Sequence, residues 1–209
     1  MLQSTMRAIS ERRVILASGS PRRLDILQIM GITPEVIPST FNENLNRDHY
    51  KTHNEYVVDL AKHKVDDVYE RLKGDSNFKD SLIIGADTIV TKGDIIYGKP
   101  KDKKDAFDIL SSLVGSTHIV YTGVCIKSEH KEITFCDFTE VTFGCILEEQ
   151  IRWYIETGEP FDKAGGYGIQ EKGGCFVSKI NGDFYTVVGL PLYLTINYVN
   201  NFYLEYEDK

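Results

Sequence analysis

The sequence predicts an α/β protein with a mixed, twisted central sheet that is flanked by helices. In the first half of the chain, short apolar runs rich in β-branched residues alternate with amphipathic stretches, which is typical of strand–helix–strand units. In the second half, strand-like runs follow one another with turn residues between them, which favours antiparallel pairs. The two patterns together predict a sheet with both parallel and antiparallel neighbours, and the later strand-rich region is a candidate second lobe.

The first half of the chain is predicted to contain two strands and two helices. A β-branched run at residues 14–16 predicts the first strand, and Pro21 opens a helical pattern after it. A short strand is predicted between two prolines at 34–38, followed by a polar loop. Apolar residues then recur at helical spacing over 54–72, which predicts an amphipathic helix.

The second half is predicted to contain more strands than helices. The turn Lys92-Gly93-Asp94 separates two strands, and Asn181-Gly182 is typical of a tight hairpin. Helices are indicated by apolar spacing, and a glycine-rich loop connects the second of them to the hairpin. The predicted elements are strands at 81–91 and 95–97, a helix at 102–113, strands at 118–127 and 134–145, a helix at 147–156, a loop at 164–174, a hairpin of 175–180 with 184–188, and a final helix at 191–203.

Composition limits the classes of function. The chain has 209 residues, 42% of them hydrophobic and 26% charged, which is ordinary for a globular protein, and its net charge of −7 argues against a nucleic-acid partner. We find no apolar run long enough for a membrane span and no secretory signal in the first thirteen residues. We expect a flexible extension over residues 1–12 and a single domain over 13–209.

The four cysteines and five histidines do not form recognisable metal or disulfide patterns. The cysteines have no C-x-x-C spacing, and the histidines have no H-x-x-x-H or H-E-x-x-H spacing. Buried free thiols in a reducing compartment are therefore the expected state.

The segment ASGSPRR at residues 17–23 is the first candidate site. It follows a strand and opens a helix, with Ser20 as the expected N-cap and Pro21 at the first helical position. Arg22 and Arg23 then lie in the first helical turn, where the dipole disfavours a cation by about 0.3–1 kcal/mol. Free N–H groups and two guanidiniums favour a bound polyanion. From the residues alone, a solvated pair of surface arginines is an equally good interpretation.

Asp87 is the strongest catalytic candidate. It lies inside an apolar strand beside Gly85 and Ala86, where burial of a carboxylate is costly unless it is paired, hydrogen-bonded or bound to a cation. The small neighbours leave room for a ligand, and an aspartate that caps a bulge is the alternative. Glu43 in the polar loop is a candidate second carboxylate for Mg²⁺, which takes one or two protein carboxylates together with phosphates and waters. Taken alone, such a loop acid is more often solvated.

Three further side chains are candidate ligand contacts. Lys64 lies near the apolar stripe of its predicted helix, where a side chain that snorkels to solvent is the more common case. Lys99 lies between a glycine and a proline, which restrains its backbone. Gln170 ends the stretch EPFDKAGGYGIQ, whose three glycines favour close backbone approach to a ligand. Its amide has both a donor and an acceptor for a base edge, and a turn-forming amide is the alternative.

Five motifs, in the order SGSPRR, GADTIV, GKP, EPFDKAGGYGIQ and VVGLPL, resemble those of the Maf family of nucleoside triphosphate pyrophosphatases. The resemblance runs from about residue 14 to about residue 202. The resemblance implies an α/β fold with a cleft between two lobes, related in outline to the inosine triphosphate pyrophosphatases. It also implies a divalent cation (Mg²⁺ or Mn²⁺), a cytoplasmic setting, a homodimer and a house-cleaning role in nucleotide metabolism.

Within the family, the chain resembles the branch that hydrolyses dTTP and UTP, and not the branch that prefers 7-methyl-GTP. Arg22, Thr88 and Gln170 match the first branch at the positions that distinguish the two. The implied reaction gives a monophosphate and pyrophosphate, with Asp87 as the general base and, together with Glu43, as a metal ligand. The resemblance assigns phosphate or other substrate contacts to Ser18, Ser20, Arg23, Lys64, Lys99 and Lys163.

Two other functions fit parts of the pattern. A catalytically weak nucleotide-binding regulator of cell division would keep the cations but would not need a carboxylate base. A nucleotidyl- or phosphotransferase would use an acceptor other than water and would hydrolyse nucleotides slowly. Modified pyrimidine triphosphates are further candidate substrates beside dTTP and UTP.

Overall fold

The computed structural model describes residues 12–207, with side chains through Phe202. The extension predicted over residues 1–12 lies almost wholly outside the described residues, and the single domain over 13–209 stays a prediction. The strands are β1 (Val14–Leu16), β2 (Glu35–Val36), β3 (Leu82–Lys92), β4 (Ile95–Tyr97), β5 (Thr117–Lys127), β6 (Glu132–Phe143) and β7 (Val177–Asn181).

The helices form at or close to the predicted positions, with one exception described below. Their bounds are α1 (Pro21–Ile29), α2 (His53–Leu72), α3 (Lys103–Leu113), α4 (Glu148–Glu156), α5 (Phe184–Val188) and α6 (Leu192–Glu207). Within the part of the chain that the structure describes, the helices are too short or too polar to cross a membrane.

The seven strands form one mixed sheet, as predicted. Its order is β2-β1-β3-β5-β6-β7, and β4 pairs with β3 off this path. Strand β1 pairs in parallel with both β2 and β3, whereas β3 with β4 and β6 with β7 are antiparallel. The parallel strands thus come from the strand–helix part of the chain and the antiparallel pairs from the later part.

The chain divides into two compact units that are not contiguous in sequence. Unit 1 comprises the residues through Asp87, Thr122–Cys136 and the residues from Gly189 onward. Unit 2 comprises Thr88–Tyr121 and Asp137–Val188. Three of the four unit boundaries therefore fall within strands β3, β5 and β6, and the fourth follows the end of α5 at Val188.

In unit 1, helix α2 packs directly on the sheet because two strand residues have no side chain. A Cβ on Gly85 would overlap the side chain of Val65, and a Cβ on Gly123 would lie 2.5 Å from the carbonyl oxygen of Val57. Both valines are fully buried. This close approach also brings Lys64 of the same helix within reach of strand β3.

The start of α2 is set by a capping box. The Thr52 hydroxyl accepts a hydrogen bond from the Glu55 backbone N–H at 3.2 Å, and the Glu55 carboxylate accepts one from the Thr52 N–H at 3.3 Å. Two of the N–H groups at the helix end are satisfied in this way. The helix consequently begins at His53, one residue before the predicted start.

The predicted hairpin at the end of unit 2 is wrong in its second arm. Strand β7 forms and pairs with β6, but residues Phe184–Val188 form helix α5. The Asp183 carboxylate accepts a hydrogen bond from the Tyr185 backbone N–H at 3.1 Å, and the Asp183 carbonyl accepts one from the Thr139 hydroxyl at 2.8 Å. The turn after β7 therefore leads into a capped helical turn.

The cysteines are free thiols, as expected, but their burial differs from the expectation. Cys125 is buried and Cys136 is half-buried, whereas Cys145 and Cys175 are exposed. Burial raises the pKa of the Cys125 thiol to about 12.

A buried histidine lies in the apolar core of unit 2. The His118 side chain is 1% exposed, and its Nε2 lies 2.8 Å from the Tyr167 hydroxyl. Its ring meets the ring of Phe143 edge-on, with centroids 4.9 Å apart. Burial lowers the pKa of His118 to about 4, and the charge of Lys92 acts in the same direction.

This histidine should make stability depend on pH. We expect the free energy of unfolding to fall by about 2 kcal/mol between pH 7 and pH 5 through this group alone. The reason is that the unfolded chain, in which the pKa of histidine is about 6.5, binds a proton in this range that the folded protein does not bind until about pH 4. Urea unfolding of the wild type and of His118→Gln at both pH values measures the effect.

The variant should have a weaker pH dependence than the wild type over this range. His130→Gln, at an exposed position, is the matched control and should keep the wild-type dependence. Equal pH dependence in His118→Gln and in the wild type would contradict the prediction.

Candidate active site

Asp87 and the ASGSPRR segment lie at the same edge of the sheet. Strands β1 and β3 are parallel neighbours, with Leu16 opposite Ile84. The segment follows the end of β1, and Asp87 lies three residues beyond Ile84 in β3. In parallel sheets, ligands bind beyond the carboxyl ends of the strands, so both features lie where a ligand is expected.

Lys64 joins the two candidate acids. Its ammonium group forms an ion pair with the carboxylate of Asp87 and a second one with that of Glu43 at 2.8 Å. Lys64 and Asp87 are 9% and 8% exposed, whereas the side chain of Glu43 is about half exposed. The lysine is therefore buried and paired, and does not snorkel to solvent. Three of the predicted site residues are brought together here.

Arg23 is also buried in unit 1. Its Nε donates a hydrogen bond to the carbonyl of Gly189 at 2.9 Å, and its Nη1 donates one to the hydroxyl of Ser18 at 2.9 Å. Burial lowers the pKa of the Arg23 guanidinium, and the negative charge of Asp87 opposes that change. The guanidinium is thus held in a defined plane within electrostatic range of Asp87.

The first turn of α1 differs in one detail from the prediction. The helix begins at Pro21 and Ser20 occupies the N-cap position, but the Ser20 side chain makes no capping hydrogen bond. Instead, the Ser20 backbone N–H donates to the hydroxyl of Ser18 at 3.3 Å. Arg22 is half-buried in the first turn.

The loop that carries Glu43 is fastened along α2. The backbone N–H of Thr40 donates a hydrogen bond to the Asp67 carboxylate at 2.9 Å. The ring of Phe41 stacks on that of His63, with centroids 4.7 Å apart and planes 11° apart. A segment predicted only as a polar loop is therefore held at several points to the helix that carries Lys64.

Two residues near this cluster were not found by sequence reasoning. The guanidinium of Arg47 lies 5.6 Å from the ring centroid of Tyr56 and donates a hydrogen bond to the carbonyl of Tyr50 at 2.8 Å. Burial raises the pKa of Tyr56, and the negative charges of Asp87 and Glu43 add to this effect. An arginine in an acid-containing loop was the one available signal, and it is weak because such residues are usually solvated.

The remaining predicted site residues lie in unit 2. Thr88 follows Asp87 directly and is half-buried. Lys99 is exposed and lines a depression of about 390 Å³ together with Tyr97 and Asp105.

Lys163 and Gln170 lie in the glycine-rich stretch of unit 2. Lys163 is 6% exposed, and its ammonium donates hydrogen bonds to the Asp162 carboxylate at 2.7 Å and to the Glu159 carbonyl at 2.9 Å. A third contact joins it to the Glu171 carboxylate at 3.4 Å. Gln170 is exposed beside Glu171.

The donor set of unit 1 fits a hard divalent cation. Asp87 and Glu43 provide carboxylate oxygens that converge on one positively charged group, the Lys64 ammonium. No cluster of three or more histidine, cysteine, aspartate or glutamate side chains suited to a metal occurs among the described residues. Two carboxylates are nevertheless enough for Mg²⁺, which commonly completes its coordination with waters and substrate phosphates.

A buried acid just beyond the parallel-paired residues of two strands, next to a helix N-terminus, a lysine and an arginine, fits the α/β proteins that bind ligands at the carboxyl edge of the sheet. More specifically, the chain belongs to the Maf family, because the sequence pattern of the Maf-like proteins matches residues 13–202.

Curated relatives support the same assignment. A Bacillus anthracis protein is 44% identical over 194 residues, which cover 93% of this chain and 97% of the relative. Proteins of Bacillus cereus and Bacillus cytotoxicus are 45% and 46% identical over 181 residues, covering 87% of this chain and 91% of each relative. All three bear the name dTTP/UTP pyrophosphatase. The family resemblance of the five motifs is thereby confirmed.

Proposed function

We propose that this protein is a nucleoside triphosphate pyrophosphatase that hydrolyses dTTP and UTP to the monophosphate and pyrophosphate. The observation that carries the proposal is the 44% identity, over 93% of the chain, to a relative named for that activity. The buried Asp87–Lys64 pair beside Arg23 supports it, because the reaction needs a base for water and cations for a triphosphate.

Asp87 is proposed as the general base. It would accept a proton from a water molecule whose oxygen bonds to the α-phosphorus, while the bond from that phosphorus to the bridging oxygen breaks and pyrophosphate leaves. A carboxylate within a strand is well suited to this task because the backbone fixes its position. General-base catalysis of this kind contributes about 10²–10⁴-fold to a rate.

Several cationic and hydroxyl side chains are proposed to bind the phosphates. Guanidinium and ammonium groups stabilise the negative charge that spreads over the phosphate oxygens in the transition state. The fixed plane of Arg23 supports this role, because an arginine that is already ordered loses little entropy on binding. The proposed phosphate and sugar contacts are Ser18, Ser20, Arg22, Arg23, Lys64, Lys99 and Lys163.

Glu43 and Asp87 are the proposed ligands of a divalent cation, Mg²⁺ or Mn²⁺. When bound, such a cation neutralises phosphate charge and polarises the phosphoryl oxygens. The contacts from Thr40 and Phe41 to α2 support the proposal, because they hold the Glu43 loop next to the helix that carries Lys64.

The resemblance to the family also supports a cytoplasmic setting, a homodimer and a house-cleaning role. A single domain over residues 13–209 is proposed on the same ground, and no nucleic-acid or membrane partner is expected from the charge and hydropathy of the chain.

The direct test is pyrophosphate release from a panel of nucleoside triphosphates, with and without added Mg²⁺ or Mn²⁺. We expect dTTP and UTP to be turned over fastest and chelation of the metal to abolish release. Nucleotide binding without release of pyrophosphate would instead favour the alternative function, a nucleotide-binding regulator of cell division. Release that needs an added acceptor other than water would favour a transferase.

Gln170 is proposed to recognise the pyrimidine base together with Thr88. Replacing Gln170 by glutamate removes an amide donor and adds a negative charge, so the ratio of kcat/KM for dTTP to that for GTP should fall by about tenfold. Gln28→Glu, at an exposed position of α1, is the matched control. An unchanged ratio in Gln170→Glu would show that this side chain does not recognise the base.

A further inference from the structure

Besides Asp87 in unit 1, the described residues include a buried carboxylate in unit 2, that of Glu159. The family resemblance implied no role for it. It is 9% exposed and opens the short 3-10 turn Glu159–Asp162 that follows α4. A buried carboxylate is costly unless its oxygens accept hydrogen bonds, so the identity of its partners indicates what it does.

The partners of Glu159 are a buried phenol and the backbone of the glycine-rich stretch. Its Oε1 accepts hydrogen bonds from the Tyr154 hydroxyl at 2.8 Å and from the Gly173 N–H at 2.9 Å. Its Oε2 accepts one from the Lys172 N–H at 3.1 Å. Tyr154 is fully buried. Hydrogen bonds to an ionised acceptor are roughly twice as strong as neutral ones.

The Tyr154–Glu159 pair contacts the backbone on both sides of Gln170. The Gly168 N–H donates to the Tyr154 hydroxyl at 3.3 Å, while the Gly173 N–H donates to Glu159. A Cβ on Gly173 would lie 2.7 Å from the Tyr154 hydroxyl, so only glycine permits this approach. The residues from Gly168 to Gly173 therefore form a loop whose first and last residues both donate backbone hydrogen bonds to the buried Tyr154–Glu159 pair.

We propose that Tyr154 and Glu159 act as a clamp that holds the loop from Gly168 to Gly173 in one conformation and so positions Gln170 to discriminate between nucleotide bases. Both are positioning residues, and neither is expected to touch the reacting atoms. The inference rests on the proposed function, in which Gln170 recognises the base.

The protonation of Tyr154 supports the clamp. Burial raises the pKa of the Tyr154 phenol well above its usual value, and the hydrogen bond to Glu159 adds to this effect. The phenol therefore stays protonated and able to donate to Glu159, while its oxygen accepts from Gly168.

Loss of the clamp should weaken binding of the correct nucleotide base more than it slows the hydrolysis step. A loop that is no longer fixed has to be ordered when the nucleotide binds, which raises KM, and it holds Gln170 less strictly, which reduces discrimination. We expect KM for dTTP to rise by about three- to tenfold in Tyr154→Phe and Glu159→Gln, with kcat changed by less than about twofold. The dTTP-to-GTP ratio of kcat/KM should fall in both variants.

The variants are to be tested by steady-state kinetics with dTTP, UTP and GTP at saturating Mg²⁺. Tyr154→Phe removes both bonds of the hydroxyl, and Glu159→Gln removes an acceptor for the Lys172 N–H. Glu156→Gln is the matched control, because this carboxylate lies nearby on α4 but is exposed and pairs with Lys103. It should have wild-type kinetics.

A double-variant comparison separates positioning from general destabilisation. If Glu159 acts through Gln170, Glu159→Gln should lower base discrimination in the wild type but have no further effect in a Gln170→Ala background. A change that is equally large in both backgrounds would overturn the proposal, as would folded single variants with wild-type KM and selectivity.

Amide hydrogen exchange of the wild type gives a test that does not depend on a variant folding. The N–H groups of Lys172 and Gly173 should be protected to a similar extent as those of the neighbouring core, and rapid exchange of both would contradict the clamp. The proposed function and the clamp can be disproved separately. If the wild type releases no pyrophosphate from any nucleotide, the proposed function fails. If Gln170→Ala loses discrimination while the clamp variants keep it, only the clamp fails.

Discussion

Replacing Asp87 by asparagine should lower kcat for dTTP hydrolysis by about 10²–10⁴-fold, because the amide cannot accept the proton of the attacking water. The fold should survive, since asparagine has nearly the same shape and still offers an oxygen to the Lys64 ammonium. Nucleotide binding should largely survive, because the arginine and lysine side chains proposed to hold the phosphates are unchanged. KM should therefore change much less than kcat.

The measurement is pyrophosphate release at saturating dTTP, together with nucleotide binding followed by calorimetry. Asp94→Asn is the matched control, because Asp94 lies in the exposed turn after β3. It should keep wild-type turnover. If Asp87→Asn keeps wild-type turnover, Asp87 is not the base.

Of the substitutions considered, replacing Lys64 by methionine should lower the free energy of unfolding the most. The change removes the ammonium that lies between the carboxylates of Asp87 and Glu43 and leaves the buried Asp87 without this partner. Breaking one side of a buried ion pair typically costs about 3–5 kcal/mol of unfolding free energy. Added Mg²⁺ should restore part of the loss, since a cation held by the two carboxylates would replace the missing charge.

Urea unfolding with EDTA and with Mg²⁺ measures both parts of this prediction. The double variant Lys64→Met/Asp87→Asn should be more stable than Lys64→Met, because the unpaired carboxylate is gone. Lys104→Met is the control for loss of a surface lysine, and its unfolding free energy should match that of the wild type. Wild-type stability of Lys64→Met in EDTA would show that the ion pair does not stabilise the fold.

The parallel part of the sheet was predictable from the sequence because its signals are local. The β-branched run before residue 17, Pro21 at a helix start and the apolar spacing of α2 all act within one or two turns of chain. The second arm of the hairpin was not predictable, because the Thr139 hydroxyl that holds Asp183 comes from a strand more than forty residues earlier.

The candidate site was predictable only in part for a similar reason. Asp87 stands out because a carboxylate in an apolar strand needs a partner, whatever that partner is. Lys64 does not stand out, since a buried lysine and a snorkelling one occupy the same helical positions and differ only in what lies opposite. Glu159 was hidden because its partners are mostly backbone N–H groups, which no sequence pattern identifies.

The interleaving of the two units has a consequence for the order in which the protein is completed on the ribosome. All residues of unit 2 have been synthesised once Val188 is added, whereas unit 1 still lacks the residues from Gly189 onward. Those residues include Gly189, whose carbonyl accepts the hydrogen bond from Arg23, and Val199 and Phe202, whose side chains are buried. A growing chain therefore has its first catalytic candidates early, but the hydrogen bond from Arg23 to Gly189 can form only after Gly189 is added, whereas the one from Arg23 to Ser18 can form earlier. A stop codon after residue 188 would leave unit 2 whole and remove that hydrogen bond from unit 1.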